Sequence, residues 1–270
     1  MHASVLPADW FSATWSAPAR VRTLMTTRNG GGSTGVYAGW AGAGGLNLGD
    51  HVGDAPEVVA ANRAILAAAL PAAPRWLEQV HGTAVLDLDR ASATPGTPAT
   101  PATPATPARP PRADAAVTRQ PGVVAAVLVA DCLPVLLCDR AGSVVAVAHA
   151  GWRGLAGGVL ESALAAMAVP ADQVLAWLGP GIGPRHFEVG ADVRSAFVDM
   201  DAGAAGHFAP HAPGKWLADL PGLARRRLEH LGLAEVSGGH WCTVAEPERF
   251  YSYRRDRECG RMAGLIWLAA

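Results

Sequence analysis

The sequence predicts an α+β fold, a mixed β-sheet sandwich flanked by helices. Three observations carry that expectation. Runs at 122–130, 134–138 and 143–148 are rich in Val, Ala and Leu and apolar on both faces, as buried central strands are. Helical patterns lie among them, as at 155–168, where Leu155, Val159, Leu160 and Leu164 fall on one stripe. Strands and helices do not alternate strictly, which disfavours a doubly wound parallel sheet.

In chain order, 58–70 reads as a helix opened by Pro56-Glu57, and 85–88 as a short strand. Residues 94–108 repeat Thr-Pro-Ala, with Gly96 replacing one Ala. Proline at every third position removes backbone donors and fixes φ, so the repeat can be neither helix nor inner strand. It reads as a disordered insertion within a single domain spanning 1–270, with candidate ligands on both sides of it. Asp139–Gly142 is a turn between the next two strands. A strand at 174–178 leads into the turn-rich Gly179-Pro180-Gly181-Ile182-Gly183-Pro184. Segments 191–200 and 217–231 read as helices, the second bending at Pro221, and 264–268 as a closing strand.

The chain has 270 residues, 50% of them hydrophobic, enough for a substantial core. Its net charge of -1 provides no global field for nucleic acid, so anion binding must be local. No apolar run approaches the ~18 residues of a membrane span, and no basic-then-apolar leader is evident. No obligate protein partner is expected. Four irregularly spaced cysteines, Cys132, Cys138, Cys242 and Cys259, suit a reducing cytoplasm, with thiols free or on metal.

Three segments each offer one good ligand beside a glycine or proline: Glu78-Gln79-Val80-His81-Gly82, Ala130-Asp131-Cys132-Leu133-Pro134 and Ala148-His149-Ala150-Gly151-Trp152-Arg153-Gly154. Cys132 and His149 should emerge at strand ends. Two imidazoles and one thiolate leave a fourth position open, the usual form of a catalytic zinc site. Alone, Cys132 and His149 could equally be a packed thiol and a satisfied core histidine, and His81 a loop residue. Arg28, in a glycine-rich loop, could bind phosphate. Arg153 could too, or could form a helix-start ion pair. Asn47 and His51 lie in a second glycine-rich loop, where Asn47 could hold a hydroxyl or a purine edge or serve the turn. His207 and His211 stand four apart, but Pro210 spoils a helical metal pair.

These motifs occur together with Thr26-Thr27-Arg28-Asn29-Gly30-Gly31, Leu46-Asn47-Leu48-Gly49, His51-Val52-Gly53-Asp54 and Tyr251-Ser252-Tyr253-Arg254-Arg255-Asp256. In that order they resemble the YfiH, or laccase-domain, family, long labelled polyphenol oxidases. The resemblance runs from about Thr26 to Trp267, and the Thr-Pro-Ala repeat is a departure that falls between motifs. It implies a fold similar to a Cys-His hydrolase toxin. It also implies a purine nucleoside phosphorylase acting with phosphate on adenosine, inosine, guanosine and methylthioadenosine, with adenosine deaminase activity. Family metal ligands correspond to His81, Cys132 and His149, with zinc expected ahead of copper.

Two other enzyme classes compete. A Cys-His hydrolase editing peptidoglycan precursors would use Cys132 as nucleophile and His149 as base. A copper polyphenol oxidase would use the same ligands, but a multicopper cluster needs more histidines, and none of the nine forms a His-x-His pair. A non-enzymatic nucleoside-binding module is disfavoured by the open ligand set.

Overall fold

The computed structural model describes residues 9–91, 109–233 and 235–270; the Thr-Pro-Ala repeat at 94–108 lies outside them. Two sheets stack at the centre. The larger has six strands, in the order Glu235–Gly238, Val174–Leu178, Leu133–Asp139, Val145–Ala150, Ala115–Thr118 and Val85–Asp87. Its outermost pair at each edge is parallel and the rest is antiparallel. The smaller sheet is antiparallel, with Met262–Leu268 between Val21–Met25 and Ala125–Val129.

Side-chain alternation sorts the core into three layers. Along Leu133–Asp139, Leu133, Val135 and Leu137 pack under helices, against residues such as Leu155, Leu160, Leu223 and Leu228. Leu136 and Cys138 face the smaller sheet, against Val127, Met262 and Ile266. That sheet's outer face, with Leu24, Leu128 and Leu265, is covered by Leu46, Leu48 and Leu66, the last on the helix Pro56–Ala68. The expected sandwich flanked by helices is therefore present, as helix, sheet, sheet, helix. Each fully buried Leu or Val contributes about 1.5–3 kcal/mol, and a strand buried on both faces has no reason to alternate with polar residues.

Several expected elements differ in detail. The helix read at 155–168 is two helices, Trp152–Gly157 and Val159–Met167, broken at Gly158, whose φ of 102° an L side chain resists. The helix read at 217–231 begins only at Leu220, because Trp216–Ala218 is a strand in a third, small sheet. Pro221 sits in that helix's first turn, where its missing N–H costs nothing, so no bend forms. Asp219 caps it by accepting the Gly222 N–H. Among the described residues, no helix is long and apolar enough to cross a membrane.

Candidate metal centre

The hairpin Leu133–Asp139/Val145–Ala150 brings two of the ligands together. Its register pairs Pro134 with His149 and Leu133 with Ala150, so Cys132 lies across from Gly151 at the open end. A Cβ on residue 151 would stand 2.8 Å from Cys132 Sγ and 2.9 Å from His81 Cδ2. Only glycine leaves that space to the ligands. One helical turn on, a Cβ at Gly154 would meet the Gly82 carbonyl at 2.9 Å, so Gly154 lets the third ligand's loop settle on the helix.

That loop is held by Asp114, a fully buried carboxylate that sequence reading missed. Asp114 accepts backbone N–H groups from Val80 (3.1 Å), His81 (2.9 Å) and Gly82 (2.7 Å). It also bonds His149 Nδ1 at 2.9 Å. Four partners offset the cost of burying a charge, and they fix His81 in a left-handed conformation with φ 60°. Gln79 ties the same loop to the smaller sheet by bonding both backbone groups of Leu128. The signal was an Asp between alanines at the start of an all-buried strand, a charge that needs a reason to be there.

Asp131 does the same for Cys132. Its φ of 85° is strained for a non-glycine residue. Its carboxylate accepts the Thr243 hydroxyl and the Arg254 N–H, both at 2.6 Å, and its carbonyl accepts the Ile182 N–H.

The result is one cluster. His81, Cys132 and His149 place their ligand atoms within 4.8 Å of one another, with Cys132 Sγ 3.7 Å from His81 Nε2. Donors at zinc bond lengths in a tetrahedron lie about 3.3–3.8 Å apart, so the set fits a metal ion. With Nδ1 anchored on Asp114, His149 has Nε2 left as the atom that would bind an ion, the orientation that carboxylate–histidine pairs impose. Burial pushes the Cys132 thiol up, but His149 and then His81 outweigh it and bring it well below the usual thiol range. Burial likewise pushes His149 down, but the Cys132 thiolate and Asp114 outweigh it and raise the imidazole. The site therefore favours a thiolate, the form that binds metal.

The cluster opens into a cleft of about 860 Å³, lined also by His51, Arg109, Arg153, Tyr253, Arg254 and Arg261. Of the residues read from sequence, His51 and Arg153 thus reach the cleft with the three ligands. Arg28 and Asn47 do not. The Arg28 guanidinium donates to the carbonyls of Ala38 and Pro247 and lies over the Tyr251 ring. Asn47 is fully buried and uses its amide on Gly49, Asp54 and the Arg261 N–H. Its link to the cleft is through Arg261. Sequence reading assigns no binding role to the other cleft arginines: Arg254 lies in a motif that carries the resemblance, but a sequence motif does not show which way a side chain faces.

The chain matches the family described as "Multi-copper polyphenol oxidoreductase laccase" over residues 22–269. It is 48% identical over 260 residues to a purine nucleoside phosphorylase of Pseudomonas aeruginosa, covering 96% of this chain and 98% of that one. It is also 48% identical over 256 residues to the Escherichia coli K12 purine nucleoside phosphorylase YfiH, covering 94% and 96%. The crystal structure of Neisseria meningitidis protein NMB0706 superposes with a TM-score of 0.86, at 48% identity, over 97% of this chain and 100% of that one.

Proposed function

On the premise that the chain belongs to the multi-copper polyphenol oxidoreductase laccase family, we propose that it is a zinc-dependent purine nucleoside phosphorylase. Adenosine, inosine, guanosine and methylthioadenosine are the substrates, with phosphate as the acceptor and adenosine deamination as a second activity. The observation that carries this reading is a three-ligand centre in a cleft that is also lined by cationic side chains without an acidic partner among the described residues.

Phosphorolysis breaks the bond from the sugar's anomeric carbon to the purine and forms one to a phosphate oxygen, while the purine takes up a proton. The Arg153 side chain makes no hydrogen bond among the described residues and lies exposed over the Trp152 ring, 4.5 Å from its centroid. It is free to fork onto phosphate. Arg254 and Arg261 line the same cleft and add positive charge, which neutralises the incoming anion. Leu77, Leu128, Ile182 and Phe187 give the purine apolar cover. His81, Cys132 and His149 would hold the zinc, which when bound supplies a Lewis acid at an open position. Asp114 keeps His149 in one orientation throughout. Among the described residues one such ligand group exists, which does not favour a multicopper relay.

A second reading has its own support. Asp114 bonds His149 Nδ1, and His149 and Cys132 bring their ligand atoms within 4.8 Å, the order of a thiol hydrolase triad. One experiment separates the two. Metal-analysed protein is incubated with adenosine and phosphate, and the products are resolved chromatographically. Free adenine with ribose phosphate supports phosphorolysis, and inosine supports deamination. Release of an amino acid from a muramyl precursor by chelated protein, with nucleosides untouched, would replace this reading with the hydrolase.

A further inference from the structure

A second cysteine–histidine pair lies outside the metal centre. Cys242 Sγ is 3.4 Å from His186 Nδ1 and accepts the Gly183 N–H at 3.3 Å. Residue Cys242 is partly exposed, as is His186, and Pro184 and Arg185 beside it are exposed. The backbone around the sulfur is fixed. Cys242 N donates to Glu246 Oε1 at 2.9 Å, Cys242 bridges to Gly181, and Thr243 N donates to the Gly181 carbonyl. A Cβ on residue 183 would stand 2.9 Å from Cys242 Cβ and 3.0 Å from its Sγ, so glycine there leaves room for the sulfur.

The other thiols contrast with it. Cys138 and Cys259 are buried, and burial pushes them up to about 12 and about 11, which leaves them inert. Cys132 belongs to the metal centre.

We propose that Cys242 is a thiol–disulfide exchange site for small soluble disulfides, with His186 as its base. His186 Nδ1 takes the thiol proton, and the Cys242 sulfur attacks one sulfur of the small disulfide. That S–S bond breaks as the Cys242–S bond forms, and the departing thiolate takes the proton back from His186. One protein thiol and one disulfide become one mixed disulfide and one free thiol. The Gly183 N–H lies ready for the sulfur's charge during attack. Neither the metal centre nor phosphorolysis takes part.

The test uses the full chain, zinc-loaded, and in parallel its Cys132→Ala variant, so that the outcome does not depend on the metal reading. Each is treated with oxidised glutathione, and the adduct is located by peptide mass. The expected result is one fast adduct on the Cys242 peptide in both proteins. Cys242→Ser should abolish it, and His186→Ala should slow it by about tenfold or more, with circular dichroism unchanged. Should His186→Ala misfold, His186→Gln gives the same comparison. No adduct at Cys242, or an unchanged rate in both well-folded His186 variants, would overturn the proposal.

Discussion

The turn around His149 and the glycine-rich loops at 26–49 both carry polar side chains on short, strongly bent backbone, yet they use them differently. In the first, His81, Cys132 and His149 direct donor atoms at one another and at the cleft, because Asp114 and Asp131 do the holding. In the second, the holding falls to the conspicuous residues themselves. Arg28 is tied to two carbonyls. Asn47 uses its amide on Gly49, Asp54 and the Arg261 N–H. Added support comes from Asn62 on the neighbouring helix, which donates to Ser33, Gly45 and Asn47, while a Cβ on Gly31 would meet Gly45 O at 2.3 Å. A polar residue in a motif is free for chemistry only where another group has taken over the backbone's demands.

The largest effect should come from the ligands. Cys132→Ala, His81→Ala and His149→Ala should each lose bound zinc and lower nucleoside turnover by at least about 10³-fold, measured by metal analysis and product chromatography. A chelator should do the same to the unaltered protein, and zinc should reverse it. Full turnover in His81→Ala, with Cys132→Ala dead and chelation harmless, would give the chemistry to the thiol alone.

Asp114→Asn tests whether the holding group matters as much as the comparison says. Two of its four donors would then face an amide NH₂, costing roughly 3 kcal/mol, and zinc affinity or turnover should fall about 10–100-fold. The pH dependence has a definite sign. Burial pushes the Asp114 carboxyl up, but His149 and the loop N–H groups outweigh it, so its folded pKa lies below the ordinary 3.8. Its contribution is present above that value and lost as pH falls through the folded pKa. Chemical unfolding at pH 7, 5 and 3 should show the gap between wild type and Asp114→Asn closing at the acid end.

Much of this was legible in the sequence, for physical reasons. Buried strands such as Val174–Leu178 show up because both faces are apolar. Cys132 and His149 show up because glycine and proline mark the ends of such strands. The edge strand Glu235–Gly238 was missed because a short, half-polar strand has no pattern of its own. Asp114 was missed because its role is visible only once His81, 33 residues away, is folded back onto it. Arg28 and Asn47 carried the family's motifs, and nothing local distinguishes a guanidinium bound to carbonyls from one facing phosphate.

Arg28→Ala bears on the second region directly. Losing its bonds to Ala38 and Pro247 should cost about 1–3 kcal/mol, read as a lower unfolding midpoint. The KM for phosphate in the folded protein should stay within about twofold. A large rise in that KM at unchanged stability would mean that the loop reaches phosphate after all, and that the contrast between the two regions is false.

Arg153→Ala is the complement, with the smallest effect on the fold. The side chain is exposed, and its stacking on Trp152 contributes about 0.5–1 kcal/mol at a surface site. Its removal should move the unfolding midpoint very little. In the cleft, however, it is, with Arg109, a cation without a competing side-chain hydrogen bond among the described residues, whereas Arg254 already donates to Glu188 O and Arg261 to Cys259 O. Phosphate should therefore feel its loss as a several-fold rise in KM, with zinc retained and kcat changed less. Arg153→Lys should recover part of the effect, since it restores the charge but not the fork. A KM that does not move in Arg153→Ala would shift phosphate to Arg109, Arg254 or Arg261, which line the same cleft, and the same titration on the alanine variant of each would then locate it.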